Sequence, residues 1–498
     1  MFFELDGYKR SKFFNDLSSS VVVFLVALPL CLGIALASGV PPIYGLISGI
    51  IGGLVIGFLT GSPMQVSGPA AGLAVMVFQF VETYGLNSLG PIVFASGIFQ
   101  VLFSVFKLGP WFRAVSQSVV KGMLAGIGIL IFCSQFHVML DNAPKASAVL
   151  NFITIPEAIF SIFGDNKPPQ HIIAGAMGIL TISAILAWNY LRERIKNPIP
   201  APLFAVLLVT GVSMASGSSI NKVEIPADIM TKLNILSLDS LSSFSFSMIL
   251  AGLTMAIIAS TETLLCVNAV DEMKPEIKSR YNQELMAQGV GNLIAGVFGA
   301  LPITGVIVRS SANVDAGAET RVSAIFHGLW LLVMVFFASQ YLANIPTAAL
   351  AALLVYTGYR LIDPKFWVSI YKRDRFEAGI FYATAIGIFA TNLLTGVIIG
   401  FTLSLLRLLF SVLNVSIHHE EKDCGTLKVI YHGHMCFLNL PSIKDELEKL
   451  IEQEDSKVHL CLENVVYLDH SAEEYIDNLK KNKAPDLVIE WGSHRSFA

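Results

Sequence analysis

The chain predicts an α-helical polytopic membrane protein that closes with a small α/β domain, and three observations carry that class. First, 54% of its 498 residues are hydrophobic and 14% are charged, with a mean hydropathy of +0.65; a soluble chain carries about a quarter charged residues. Second, apolar runs near the ~20 residues of a bilayer-crossing helix recur from position 20 to position 415. Third, beyond 417 the pattern turns polar and alternates strand and helix periods. The net charge of −4 offers no basic surface, so the expected partner is a lipid bilayer and not nucleic acid.

The apolar runs cover 20–38, 43–60, 66–82, 91–107, 115–138, 171–191, 200–216, 247–270, 284–300, 303–313, 322–340, 343–362, 377–393 and 394–415. They make fourteen membrane elements, two of them short. No small-residue cleavage site follows the first run, which reads as a retained span. The stretch 148–163 reads as an interfacial helix. Basic residues segregate to one side: Lys9, Arg10 and Lys12 before the first span, Arg192, Arg194 and Lys196 after the sixth, Lys274, Lys278 and Arg280 after the eighth, and Lys372, Arg373 and Arg375 after the twelfth. The positive-inside rule then puts residues 1–19 and the C-terminus in the cytoplasm.

HHEEKDCG ends the membrane part. After it, LKVIYHGHMCFLN reads as a hairpin, PSIKDELEKLIEQED as an amphipathic helix, KVHLCLENVVYLD as a strand and turn, SAEEYIDNLKKN as a second helix and DLVIEWG as a final strand. This domain, 424–498, holds no recognisable enzyme site, and no catalysis is expected of the chain. The six cysteines (Cys31, Cys133, Cys266, Cys424, Cys436, Cys461) form no CxxC pair and no metal pattern. Each reads as a small buried thiol, and no cofactor is expected.

Three interruptions of the spans speak to function. Glu262 is the lone charge in SMILAGLTMAIIASTETLLCVNAV (247–270), and a charge at the bilayer centre costs a few kcal/mol or more. SGPAAG (67–72) and PITGVIVRSS (302–311) break two further runs. The offset from Ser67 to Thr304 nearly matches that from Pro29 to Glu262, as two halves of about seven elements with opposite orientation would give, and paired interrupted helices point to a secondary transporter. A half-helix that begins at mid-membrane exposes N–H groups and a partial positive charge. Ser67 and Thr304 are suitable N-caps, and Pro69 suits a first helical turn. Two such ends would hold an anion, with Arg309 adding charge. The plainer alternatives are ordinary kinks, and a Glu262 that only neutralises Arg309.

LVALPLCLGIALASGVPPIYGL (25–46), GSPMQVSGPAAGLAV (61–75) and NQELMAQGVGNLIAGVFGALPITGVIVRSSANVDAGAETRVSAIFHG (282–328) resemble the first, third, and ninth and tenth helices of the SulP inorganic anion transporters. The tail from about 424 resembles their STAS domain. The resemblance implies a transport domain over 20–416, built of inverted seven-helix repeats at about 20–216 and 247–416. It also implies a core that moves against a gate, a homodimer, and a bacterial inner-membrane location. It assigns substrate contacts to Ser67, Gly68 and Ala70, to Gly305, Val306 and Ile307, and to Leu30 and Ile34, with Arg309 beside them. The family's helix-8 acid matches Glu262. In the bicarbonate branch that position is Asp, with Thr four residues on, and the pair binds sodium. Here the pair is Glu262 and Cys266, and thiols are poor ligands for hard cations. Thr263 or Ser260 could supply oxygen for Na+; otherwise the coupling ion is H+.

The first helix looks most like a bacterial branch found with carbonic anhydrase, which implies bicarbonate. Sulfate, chloride, a dicarboxylate or anion exchange stay open. A nucleobase permease would be expected to lack both Arg309 and the tail. A membrane sensor would need the Asp-Ser-Ser-Gly loop of related regulatory domains, where this chain has Asp469-His470-Ser471-Ala472. His137 and His327 read as packed residues, Lys121 as a snorkelling surface cation, and Gly289, Gly291 and Gly296 as helix-packing positions.

Overall fold

A computed structural model describes residues 10–110, 116–145, 147–160, 170–195, 199–217, 220–223, 234–236, 245–413, 416–422, 426–437, 439–453, 457–482 and 488–491. They fall into two compact units, Met1–Phe401 and Thr402–Ala498. Cys424 and most of the loop 217–243 lie outside the described residues.

The first unit is helical. Its elements are α1 (Arg10–Ala37), α2 (Pro42–Leu59), β1 (Ser67–Pro69), α3 (Ala71–Tyr84), α4 (Leu89–Val105), α5 (Gln117–Met139), α6 (Ala148–Ile153), α7 (Ile155–Phe160), α8 (Gln170–Ile195), α9 (Ala201–Ala215), α10 (Phe246–Met273), α11 (Tyr281–Val297), β2 (Ile303–Gly305), α12 (Ile307–Asp315), α13 (Val322–Leu342), α14 (Thr347–Ile362), α15 (Pro364–Arg373), α16 (Arg375–Ala390) and α17 (Leu393–Leu413), which runs past the unit's boundary. Helices occupy all fourteen apolar runs. Among the described residues, six helices are long and apolar enough to cross a membrane, and four shorter ones are apolar. The stretch read as one interfacial helix is the short pair α6 and α7.

The first helix starts earlier than its apolar run, and the reason is a set of polar contacts at its foot. Asp16 is fully buried; its carboxylate accepts the N–H groups of Glu319 (2.8 Å) and Thr320 (3.0 Å) at the start of α13. Ser19 donates to the Ala316 carbonyl (2.8 Å). Deeper in, helices meet at glycine. A Cβ on Gly97 of α4 would lie 2.5 Å from the Leu293 nitrogen of α11, and one on Gly296 2.5 Å from the Phe94 nitrogen. Such approaches leave no room for a side chain, which is the packing role expected of Gly296.

The second unit holds a four-stranded sheet of order β3-β4-β5-β6. β3 (Ser416–Lys422) runs antiparallel to β4 (Thr426–Met435); β4 with β5 (Lys457–Leu468), and β5 with β6 (Val488–Trp491), are parallel. Helices α18 (Leu440–Gln453) and α19 (His470–Asn482) supply Ile443, Leu447 and Ile476 to a core with Val429, Tyr431 and Leu460. The hairpin expected within LKVIYHGHMCFLN is absent: β4 is one strand, and its hairpin partner is the charged SIHHEEK segment. Charged residues are what an edge strand carries, which is why HHEEKDCG read only as the polar end of the membrane part. After Met435, the Cys436 N–H donates to Asn439 Oδ1 (2.9 Å) and the chain enters α18 instead of turning back.

Candidate functional site

The two interrupted spans meet each other. Ser67–Pro69 and Ile303–Gly305 form a short antiparallel ribbon with Ser67 opposite Gly305, Gly68 opposite Thr304 and Pro69 opposite Ile303. The ribbon leads into the Ala71–Leu73 turn that opens α3 and into α12 at Ile307. This corrects the capping expectation. Ser67 and Thr304 are strand residues, and the N-cap positions belong to Ala70 and Val306, neither with a side-chain cap bond. Pro69 ends the strand and does not open a helix. The backbone groups that caps would serve are satisfied within and beside the ribbon. Thr263 Oγ1 accepts the Gly305 N–H (3.1 Å), the Val66 carbonyl accepts the Val306 N–H (3.0 Å), and the Asn292 amide brackets the N–H (2.7 Å) and carbonyl (3.0 Å) of Ile303. Gly52, in a π-helical turn of α2, lets the ribbon close in: a Cβ there would lie 2.5 Å from the Ser67 carbonyl oxygen.

Side-chain alternation gives the ribbon two faces. Ser67 and Gly305 share one, where Ser67 Oγ accepts from Gln288 Nε2 (2.7 Å) and a Cβ on Gly305 would overlap the Gln65 amide. Gly68 and Thr304 share the other, against Arg309. A Cβ on Gly68 would overlap Arg309 Nη1 and lie 3.0 Å from Cζ. Arg309 is fully buried. Its Nη2 donates to Cys31 Sγ at 3.4 Å, while Nε and Nη1 have no hydrogen-bond partner, and neither does Thr304 Oγ1. A buried cation with unmet donors is costly unless something fills them. Arg309 lies in the first turn of α12, whose N-terminus adds partial positive charge.

Glu262, half-buried on α10, faces the start of α3. The Gly72 N–H donates to its carboxylate, a Cβ on Gly72 would lie 3.0 Å from both oxygens, and Oε2 has no partner. Among the described residues no ion pair within 4.0 Å joins Glu262 to Arg309. The oxygens that were to complete a sodium site are engaged elsewhere: Thr263 on Gly305, and Ser260 Oγ on Gln100 Nε2 at 3.4 Å. Cys266 Sγ lies 3.4 Å from Ser310 Oγ. Each hydroxyl keeps a second acceptor lone pair, while the Cys266 thiol is a poor ligand for a hard cation, which favours oxygen.

Of the remaining expected contacts, Leu30, Ile34 and Ala70 lie in one apolar cluster. Val306 and Ile307 are half-buried, with Ile307 against Met64, Cys266 and Val270. His137 is held between the Cys133 carbonyl and Thr154 Oγ1, each at 3.0 Å, as a packed histidine should be. Ser471 is exposed in the first turn of α19. Asp469 before it accepts the N–H groups of Ala472 (2.8 Å) and Phe437 (2.6 Å).

The residue that reading the chain missed is Glu284. It is fully buried on α11 and accepts from Thr60 Oγ1 (2.5 Å), the N–H groups of Gly61 (2.9 Å) and Ser62 (3.2 Å), Gln65 Nε2 (3.2 Å) and Gln288 Nε2 (2.9 Å). Its signal was present: Glu284, Gln288 and Asn292 recur every fourth residue in the run 284–300, one face of a helix.

A family model described as the sulfate permease family matches residues 13–384. The "Putative sulfate transporter YvdB" of Bacillus subtilis (strain 168) is 29% identical over 502 residues, covering 95% of this chain and 90% of that protein. Among solved structures, the transmembrane domain of a cyanobacterium bicarbonate transporter, BicA, aligns with a TM-score of 0.67 and 25% identity, over 78% of this chain and 98% of that one. The murine Slc26a9 anion transporter in its inward-facing state aligns with a TM-score of 0.81 and 18% identity, over 97% and 86%. A family match over most of the helical unit, with solved relatives sharing its fold, leaves one assignment: the chain belongs to the sulfate permease family.

Proposed function

We propose that this chain is a secondary transporter of a small inorganic anion. On this reading the fourteen membrane elements form two inverted seven-element repeats, a core carrying the ribbon moves against a gate, and the tail is a STAS-like domain. The protein works as a homodimer in a bacterial inner membrane with both termini cytoplasmic. The observation that carries it is Arg309, a buried guanidinium with two unfilled donor nitrogens beside a glycine backbone and a helix N-terminus, a setting that an anion completes.

Bicarbonate is the favoured cargo. One fixed cation balances a monovalent anion, whereas a dianion would leave a charge uncompensated in an apolar surround, at a cost of several kcal/mol. The second reading is sulfate, favoured by the relative at 29% identity. A proton on Glu262 is the coupling ion on this reading: its Oε2 is buried without a partner, and the thiol of Cys266 stands where a sodium site would want oxygen.

The test is uptake of labelled bicarbonate and sulfate into proteoliposomes under an imposed proton or sodium gradient. Proton-driven uptake in the parent, and uptake indifferent to the gradient in Glu262→Gln, are expected. Undiminished gradient dependence in Glu262→Gln sinks the coupling role. Uptake of uracil and of no inorganic anion sinks the anion-transport reading.

A further inference from the structure

Three polar side chains on one face of α11 touch the ribbon or the loop before it. Glu284 gathers the 60–65 loop, Gln288 reaches Ser67, and Asn292 grips Ile303 through both backbone groups, while its Nδ2 also donates to Gln100 Oε1 (2.7 Å). Glu284, Gln288 and Asn292 are each fully buried. With Glu284 ionised, the hydrogen-bond directions within this ladder follow from donor and acceptor type. A carboxylate only accepts and an amide nitrogen only donates. Gln288 Nε2 stands 2.9 Å from Glu284 Oε1 and 2.7 Å from Ser67 Oγ, so its two N–H groups are both committed. Ser67 must therefore accept, and its own hydroxyl proton must point away from α11.

We propose that Gln288, oriented by Glu284, is a positioning residue of the anion site: it fixes the Ser67 strand, and with it the backbone on which Gly68 faces Arg309. Glu284 thus differs from Glu262 in kind. Its oxygens are filled by five donors from this chain, and it holds no cargo and no coupling ion. The anion-binding backbone is set by α11 from behind, through bonds to Ser67 and Ile303.

This inference rests on the anion-transport reading, and the experiment separates the two. Full-length protein in proteoliposomes is assayed for initial uptake against bicarbonate and sulfate concentration, with thermal melting of the same samples in detergent. Gln288→Met, close in size and unable to donate, should raise KM about five- to tenfold, with the maximal rate within about twofold of the parent. Ser67→Ala removes the other end of the same bond. The two changes together should raise KM no further than either alone, because residues that act through one bond are not additive. A parent KM in Gln288→Met alongside a lowered melting temperature would make the ladder merely structural and overturn the proposal. So would KM increases that multiply in the double variant. Should Gln288→Met fail to fold, an unchanged KM in Ser67→Ala alone overturns it. A parent protein that moves no inorganic anion fails the transport reading itself, and this inference with it.

Discussion

Gly68→Ala puts the smallest possible side chain between the ribbon and Arg309. The added methyl would overlap Nη1 and sit 3.0 Å from Cζ, inside the ~3.5–4.0 Å of an ordinary contact. The guanidinium has little room to yield. It is fully buried, Nη2 rests on Cys31 Sγ, and that sulfur is backed by Gly49, where a Cβ would be only 2.8 Å away. Overpacking of this kind costs about 1–3 kcal/mol. If Arg309 is displaced from the position that an anion needs, that cost becomes a rise of about 5- to 150-fold in KM, at 1.4 kcal/mol per decade. The assay is the concentration dependence of anion uptake in proteoliposomes, with the melting temperature measured in parallel. Repeating Gly68→Ala in an Arg309→Ala background isolates the clash, since there the three atoms nearest the methyl are gone and KM should not rise further. An unchanged KM in Gly68→Ala, or the same fold-increase in both backgrounds, would refute the placement of the site at this contact.

Two further predictions concern buried groups. Glu284→Leu strands the Gly61 N–H and the amide N–H groups that Gln65 and Gln288 aim at the carboxylate, each costing about 1–3 kcal/mol when buried and unmet, while Thr60 and Ser62 keep the bonds between them; the variant should not elute as a monodisperse peak, whereas Glu284→Gln, which keeps one acceptor oxygen, should elute normally and melt lower. A Leu variant that melts with the parent would contradict the ladder. In the small unit, burial pushes the Tyr431 phenol above its usual value, and Glu446 and Tyr475 add to this. The folded unit therefore keeps the proton after the unfolded chain has lost it near pH 10. Stability from this group is complete below about pH 10 and falls above it, by up to about 1.4 kcal/mol per pH unit. Pulse proteolysis of the tail from pH 9 to 11 should show that fall in the parent and a flatter profile in Tyr431→Phe.

The large features of the fold were legible because bilayer helices announce themselves by length and composition, and every apolar run from 20–38 to 394–415 became a helix. The site was legible in part. Glu262 stood out as a lone charge, and Gly68, Gly305 and Arg309 were marked by the two breaks. What the chain did not disclose is pairing. Ser67 and Thr304 carry the side chains of N-caps, and only the tertiary meeting of two segments more than 200 residues apart in the chain turns them into a ribbon. For the same reason Glu284 escaped notice. It lies near the start of its run, where an acidic residue reads as a helix-start signal, and its partners come from a distant loop. The edge strand SIHHEEK was hidden by its charge. In the tail, the helices at 440 and 470 were plain from their amphipathic spacing.

Three charged side chains of the helical unit, Glu284, Arg309 and Glu262, can be ranked by what each still lacks. Glu284 lacks nothing, with five donors on two oxygens. Arg309 lacks partners on Nε and Nη1. Glu262 has the Gly72 N–H, with Oε2 unmet. A folded protein does not leave buried polar atoms unmet without cause, since each costs on the order of a kcal/mol or more. On the transport reading the two unmet charges are the two loading positions, anion on Arg309 and proton on Glu262, at Gly68 and Gly72 of one short segment. That placement couples them without an ion pair. On the same reading, filling Arg309 would draw the segment toward α12, and discharging Glu262 would loosen the start of α3. Anion affinity should therefore depend on the protonation of Glu262, and in Glu262→Gln, which mimics the protonated form, equilibrium anion binding should persist at every pH while uphill uptake is lost.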